Sequence, residues 1–595
     1  MVVWPGAEAQ MGAPFSVRAS TGPLPRAAAG ETWHANATKA NCGPGSLPET
    51  GLQGEVPLAD QEDGRSAQGY HCNLNLVGQY AGDGASIMAA YYGSCAYMAT
   101  GYSPTDPQWL QKRGTVVVDA SDPAHPKPTA LLQTPAMLNP WEALKVNDRR
   151  GLLATGEGGS FPLAGPESPG PHVDVYDVKS DCAHPKLLAS AEIPDSKGHE
   201  GDFAADGKTY WQSTYSGTKS AVAIDLSDPT HPKELGAFDN PEGTPFHAVQ
   251  LSDDGNRGYF MAARGPNSSD GFNGLEIFDT SEVQARKKDP KIHLLGKVGW
   301  DENILSQIGR YVIIGGHPYV ITTDEFGAAA NPADACAAGR PPWGFVHIID
   351  VADEHHPKVV SEIRLEINDP DHCDATLPEQ NAALSLMYSS HYCTADDPHN
   401  TTAIACTWLA SGLRVFDVRD PMHPHEIAYY NSGGRSDTSE GNSPFFEVLM
   451  GTRTKDSTAT EVRWVKTPDG QEQLWTMSSL GGIEILRFAN GVYPLVKTAA
   501  TKLEPRLRLR WYGRRHTTGG ILLTLRSSTG RFTGITVEIR RGGRVLARRR
   551  GLTVGTTLRR VALRRAGGAR FADGRYTLVV RRAGRVLLSR AVRAG

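Results

Sequence analysis

No stretch of this 595-residue chain approaches 18 consecutive apolar residues, so it contains no candidate for a membrane-crossing helix. It also lacks a Walker loop, a dinucleotide fingerprint, a nucleophile elbow and an HExxH pair, which removes the common signatures of nucleotide, hydrolase and zinc-protease sites. Cysteine is scarce. The eight residues include no CxxC pair, which argues against a zinc ribbon and for disulfides in an oxidising compartment or buried thiols. Two pairs that flank local strand connections are expected to bond, Cys72 with Cys95 and Cys393 with Cys406. Acidic residues nearly vanish after residue 500: the remainder carries 25 Lys plus Arg against 3 acids, whereas the first 500 residues carry 36 against 62. Helical periodicity is absent throughout.

What the chain does have is a repeated phrase: VVVDASDPAHPK (116–127), VDVYDVKSDCAHPK (173–186), VAIDLSDPTHPK (222–233), VHIIDVADEHHPK (346–358) and LRVFDVRDPMHPH (413–425). A decayed copy with an EVQARKK insertion occupies 275–291. Each copy runs through β-branched residues to an aspartate, turns at Asp-Pro or Asp-x-x-His-Pro, and resumes with a short apolar run. Asp bonds its own backbone in turns and Pro is excluded from central ladders, so this is strand, tight turn, strand. Between phrases lies a second hairpin, with turns such as DDGN and ADGK. Four antiparallel strands per repeat, recurring along the chain, predict a β-propeller.

A seventh copy, GIEILRF (482–488), lacks the turn and its outer strand. LNLVGQYAG (74–82) precedes the first phrase and matches what normally follows one, so the chain ends are expected to pair and close the ring. The expected architecture is all-β: an irregular extension over 1–70, a seven-bladed propeller over 71–498, and a small Arg-rich immunoglobulin-like or fibronectin-like sandwich over 499–595.

The phrase L-x-I-x-D-x-S-D-P-x-x-P-x-x-x-G, read at 222–236 and 413–425, resembles the repeat of the LVIVD family, secreted or surface proteins of bacteria and archaea regarded as propeller-forming. The resemblance implies fold and location and brings no catalytic motif. The first 31 residues show neither a basic nor an apolar signal region, yet cysteine usage and the resemblance both point outside the cell. An extracellular or cell-surface location is therefore expected, with the true start elsewhere.

Innermost propeller strands begin around one channel mouth. Trp141, His199 and His247 stand seven residues before the turn aspartates Asp148, Asp206 and Asp254, and Glu142 and Glu200 follow the first two. His391 and Glu461 fall at comparable places in blades six and seven. These seven residues are the expected ligand-binding set. Within it His199, His247 and Glu200 are the expected ligands of a divalent metal, since imidazoles and carboxylates converging on an axis suit one. The bland alternative is that such histidines cap and pack. The phrase histidines His125, His184, His231, His356 and His423 all precede Pro in outer turns and read as structural.

The leading expectation is a non-enzymatic binding or scaffold protein, a monomer that recognises a protein or a cell-envelope polymer through loops or channel mouth. Nucleic acid is not an expected partner, because the basic tail has no aromatic ladder. The alternative is a metal-dependent hydrolase or oxidoreductase at the channel mouth. Bound metal, or carboxylates converging within ligand distance, would favour the enzyme, and an apolar or arginine-plugged channel would favour the binder.

Overall fold

A computed structural model describes residues 36–82, 84–100, 109–158, 170–214, 219–264, 271–380, 385–433 and 456–495. Beyond these it describes 510–511, 521–525, 532–554, 559–565, 571–572, 574–582 and 585–594. Residues 1–35 of the expected extension and 499–509 of the expected sandwich lie outside the described residues. The chain divides into two compact units, Met1–Leu495 and Val496–Gly595.

The first unit is a seven-bladed β-propeller built from seven antiparallel sheets. Blades 1 to 6 each take four consecutive strands, beginning at Ala85–Tyr92, Lys145–Asn147, Gly201–Phe203, Phe246–Leu251, Leu305–Ile314 and Ser390–Ala395. Blade 7 takes Arg463–Lys466, Glu472–Ser478 and Gly482–Phe488, and its outer strand is Leu74–Tyr80, which pairs antiparallel with Gly482–Phe488 from Leu74↔Phe488 to Tyr80↔Ile483. The two ends of the repeat region thus knit into one sheet, as the orphan phrase at 482–488 anticipates.

The repeated phrase performs the same act in each copy. Its first aspartate ends the third strand and accepts a hydrogen bond from the backbone N–H two residues on: Ser121 to Asp119 at 2.9 Å, Ser227 to Asp225 at 2.9 Å, Ala352 to Asp350 at 2.9 Å. The second aspartate then bonds the histidine three residues later, as in Asp228–His231 at 2.9 Å. Two Asx turns in tandem reverse the chain into the outer strand. In the decayed copy a short helix, Ser281–Gln284, replaces the second turn, and Gln284 reaches back to Thr209 and Asp206 of blade 3.

Among the described residues one apolar cluster, with Ile87, Leu153, Ile308 and Tyr392, joins blades 1, 2, 5 and 6, and others lie between neighbouring blades. Leu152, Val173 and Val175 of blade 2 pack on Tyr210, Val222 and Ile224 of blade 3, and Ile321, Ile348 and Ile363 of blade 5 on Ile404, Trp408 and Phe416 of blade 6. Each sheet buries its faces against the next, so closure of the ring completes burial.

Residues 36–69 hold a short helix, Leu58–Glu62, and a 3-10 turn, and lie along blade 6. Tyr70–Cys72 adds a fifth strand to that blade beside His425–Asn431. The disulfides are Cys42–Cys72, Cys95–Cys182, Cys336–Cys373 and Cys393–Cys406. The expected Cys72–Cys95 bond is therefore corrected. The strand Leu74–Tyr80 that separates these two cysteines carries the chain from blade 6 across blade 7, and at about 3.3 Å per residue it holds them well apart. Cys95 instead reaches the outer turn of blade 2.

The second unit is a sandwich. A sheet of Arg510–Trp511, Ile521–Leu525 and Arg559–Leu563 faces one of Arg544–Val554, Phe532–Arg541, Gly574–Arg582 and Arg585–Ala594. Ile535, Val537, Ile539, Leu578 and Val580 of the second sheet pack with Val561 and Leu563 of the first. No helix among the described residues is long and apolar enough to cross a membrane.

Candidate metal centre in the propeller bore

The innermost strands of successive blades lie side by side, so side chains directed off their inner edges meet on the axis. In blade 2 the chain reaches this axis before its first strand starts. Trp141 adopts a left-handed backbone (φ 44°), an uncommon conformation for a non-glycine residue, and the turn delivers Glu142 beside Glu200 of blade 3 in an isolated parallel bridge. In blades 4 and 5 the first hairpin slips register between Phe246 and Ala248 and between Ser306 and Gly309. A bulge re-aims side chains, and here residues three apart, His247 with Gln250 and Gln307 with Arg310, both make bore contacts.

Two layers result. In the first, Glu142 Oε2 lies 2.9 Å from His199 Nε2, and Glu142 Oε1 lies 2.9 Å from His391 Nε2. Glu325 Oε1 is 2.8 Å from His391 Nε2, and Glu325 Oε2 is 3.6 Å from His247 Nε2. The His199 and His247 rings stand edge to face with centroids 4.3 Å apart, and Trp141 packs beside His199 at 6.0 Å. His391 donates from Nδ1 to the Ala459 carbonyl at 2.5 Å, which turns Nε2 toward the carboxylates. Gln307 donates to Glu142 Oε1 at 2.8 Å. All of these groups are buried.

The second layer is an ion-pair plug. Glu461 Oε1 accepts from Lys145 Nζ at 2.5 Å and from Arg310, which also donates to Gln250. Glu200 Oε1 lies 3.6 Å from Lys145 Nζ and accepts from Gln250 at 3.3 Å. Lys145 sits over the Tyr392 ring at 5.1 Å.

Burial drives the titration of these groups apart. It pushes the Glu142 carboxyl up, but His199 and His391 outweigh it and hold the group well below the usual carboxylate range. Burial lowers His391, yet Glu142 and Glu325 raise it to about 10. Burial, then His199, keep His247 well below the usual imidazole range and so neutral. Burial raises Glu325 and Glu200, while Glu461 is drawn down by Arg310 and Lys145 against its own burial. Opposed shifts within one water-poor cluster are what functional sites display.

Two overlapping sets of donor atoms come close enough to share an ion: Glu142, His199 and His247, and Glu142, Glu325 and His391, each with all atoms within 4.8 Å of one another. The sequence-derived set is thus present but reassigned. Glu142 takes the place expected for Glu200, which turns to Lys145, and Glu461 belongs to the plug. Glu325, Gln307, Lys145 and Arg310 were not anticipated. Glu325 lies near the end of a second strand, His317–Phe326, which counting back from a turn to the start of a first strand does not sample. Blade 5 also replaces the aspartate turn with Gly315–Gly316 (φ 56° and 79°), a two-residue hairpin only glycine enters freely, so the first-strand Gln307 has no turn aspartate to be counted from.

No family model and no curated protein matches the chain. Solved structures similar to it include a putative 6-phosphogluconolactonase from Bacteroides fragilis (10% identity, 66% of this chain and 92% of that one, TM-score 0.38). A periplasmic gluconolactonase of Pseudomonas aeruginosa is similar at 12% identity, 70% and 99% coverage and TM-score 0.40, and Sqt1 of Chaetomium thermophilum at 11%, 70% and 100%, and 0.39. At these values the likeness carries no argument about chemistry. The chain is a β-propeller protein, and its resemblance to the LVIVD repeats rests on the phrases alone.

Proposed function

We propose that this protein is an exported β-propeller enzyme that binds a divalent transition metal in its bore and uses it for hydrolysis, the reading that the sequence placed second. The observation that carries it is the convergence of three imidazoles and two carboxylates from blades 2 to 6 within ligand distance. Imidazole and carboxylate donors without thiolate suit zinc, manganese or iron. Glu142, His199 and His247 would hold the ion, which when bound acidifies a water molecule. Hydrolysis needs only that water, whereas redox turnover would need a further co-substrate. The bonding of all eight cysteines in four disulfides supports an oxidising, extracellular compartment.

The test is elemental analysis of the full chain purified without chelator, with activity measured on a panel of lactones, carboxyl esters and phosphate esters. We expect at least one metal equivalent, with hydrolysis abolished by chelation and restored by the metal, and at least 100-fold slower in His247→Ala. A parent protein that neither retains nor takes up metal rules the reading out.

A binding role retains two observations, the Arg310 and Lys145 plug in the bore and a cluster in the sandwich. Arg540, Arg548 and Arg581 surround the single carboxylate of Glu538 on a sheet face, a surplus of guanidinium suited to an anionic envelope polymer. Salt-sensitive retention of the full chain on a polyphosphate matrix, weakened in Arg540→Gln/Arg548→Gln, is the expected result; retention unchanged in the variant counts against it.

A further inference from the structure

We propose that the bore holds two metal ions, bridged by Glu142, an inference that rests on the metal-centre reading above. The first would take Glu142 Oε2, His199 and His247, and the second Glu142 Oε1, His391 and Glu325, which are the two donor sets found here.

Glu142 is the residue common to both sets, and its oxygens are divided between them: Oε2 is 2.9 Å from His199 Nε2 and Oε1 is 2.9 Å from His391 Nε2. Glu325 spans the same gap, with Oε1 2.8 Å from His391 and Oε2 3.6 Å from His247. A carboxylate so placed bridges two ions at the roughly 3.5–4 Å spacing of two-metal sites. The contacts also have the right length. Cis ligands at about 2.1 Å from one ion stand about 3 Å apart, so the 2.8–2.9 Å edges need little adjustment when an ion takes the place of a shared proton.

The surroundings suit the second ion as well as the first. The bond from His391 Nδ1 to the Ala459 carbonyl orients the ring so that an ion displacing the Nε2 proton shared with Glu142 and Glu325 would meet the Nε2 lone pair, as outer-shell carbonyls do for metal-bound imidazoles. Gln307 steadies the bridge by donating to Glu142 Oε1, and its own Oε1 is buried without a hydrogen-bond partner among the described residues. A site that clamps one water with two ions matches substrates whose ester oxygen and attacked centre both need charge neutralised, so carboxyl or phosphate esters are the substrate class.

The experiment is titration of the chelator-stripped full chain with Mn²⁺, read as bound equivalents after gel filtration and as the low-temperature electron paramagnetic resonance spectrum. We expect two equivalents and an exchange-coupled spectrum in the parent protein, and one equivalent with an isolated six-line spectrum in His391→Ala. One equivalent with a six-line spectrum in the parent overturns the second ion and leaves the metal-centre reading standing; none overturns both. The parent measurement decides the matter even if the variant fails to fold.

Discussion

Histidine meets carboxylate in two regions of this propeller, and the contrast between them separates scaffold from chemistry. On the rim, His125, His184, His231, His356 and His423 each lie 2.9–3.3 Å from the aspartate three residues earlier, and the His231 side chain is 83% exposed. Water screens such pairs, so they add little to stability. In the bore, His199, His247 and His391 meet Glu142 and Glu325 away from water, and the His247 side chain is 1% exposed. The rim pairs recur in every regular copy because each shapes a turn. The bore residues differ from blade to blade because each has its own place in one constellation.

The contrast can be broken most severely in the plug. Glu461→Leu removes the carboxylate shared by the buried Lys145 and the partly exposed Arg310 and leaves Lys145 with Glu200 at 3.6 Å, at an expected cost of about 3–4 kcal/mol in urea unfolding. A loss below about 1 kcal/mol would mean that the bore is wetter than described. Next in size is the covalent tie on the rim between blades 1 and 2. Cys95→Ala/Cys182→Ala releases a link across 87 residues and should lower stability by about 2–4 kcal/mol, or roughly the effect of reducing that bond alone in the parent.

Burial and exposure should also give carboxylates pH responses of opposite sign, as shown by Glu379, buried outside the bore in the 3-10 turn Leu377–Glu379 against Tyr388, and Asp228 on the rim. Burial, against its bond to Tyr388, raises Glu379 to about 9, whereas Thr230 and His231 draw the exposed Asp228 down to about 2. Between its ordinary value of 4.5 and about 9, Glu379 keeps a proton in the folded chain that the unfolded chain has lost, so its contribution to stability falls as pH rises through that window. Melting temperatures from pH 5 to 9 should decline less steeply in Glu379→Gln; parallel curves would mean the group titrates normally. The smallest effect belongs to the rim histidines. His231→Ala should leave the melting temperature nearly unchanged and metal content untouched, and a loss of metal there would erase the distinction.

Much of the scaffold is legible in the chain because repetition multiplies a weak signal. One Asp-x-x-His-Pro turn says little, but five in register announce strand, turn and blade, and the orphan copy at 482–488 announces that its partner strand must come from the other end. The site is less legible. Trp141, His199 and His247 share a position relative to the next turn, but the left-handed backbone at Trp141 advances the functional group to Glu142, and Glu325 comes from the end of a second strand, which that position does not sample. Cys95 and Cys182 sit on neighbouring blades, where sequence spacing measures nothing.

Local chemistry is what the amino-acid order decides alone: where strands run, where aspartate and proline reverse them, that the cations of the sandwich are almost all arginine, and that two ends must pair. Which carboxylate faces which imidazole was left to the tertiary structure. Those partners come from different blades, and their meeting depends on single-residue bulges and one left-handed residue, each of which swings a side chain across the axis without leaving a mark in the periodicity of the chain.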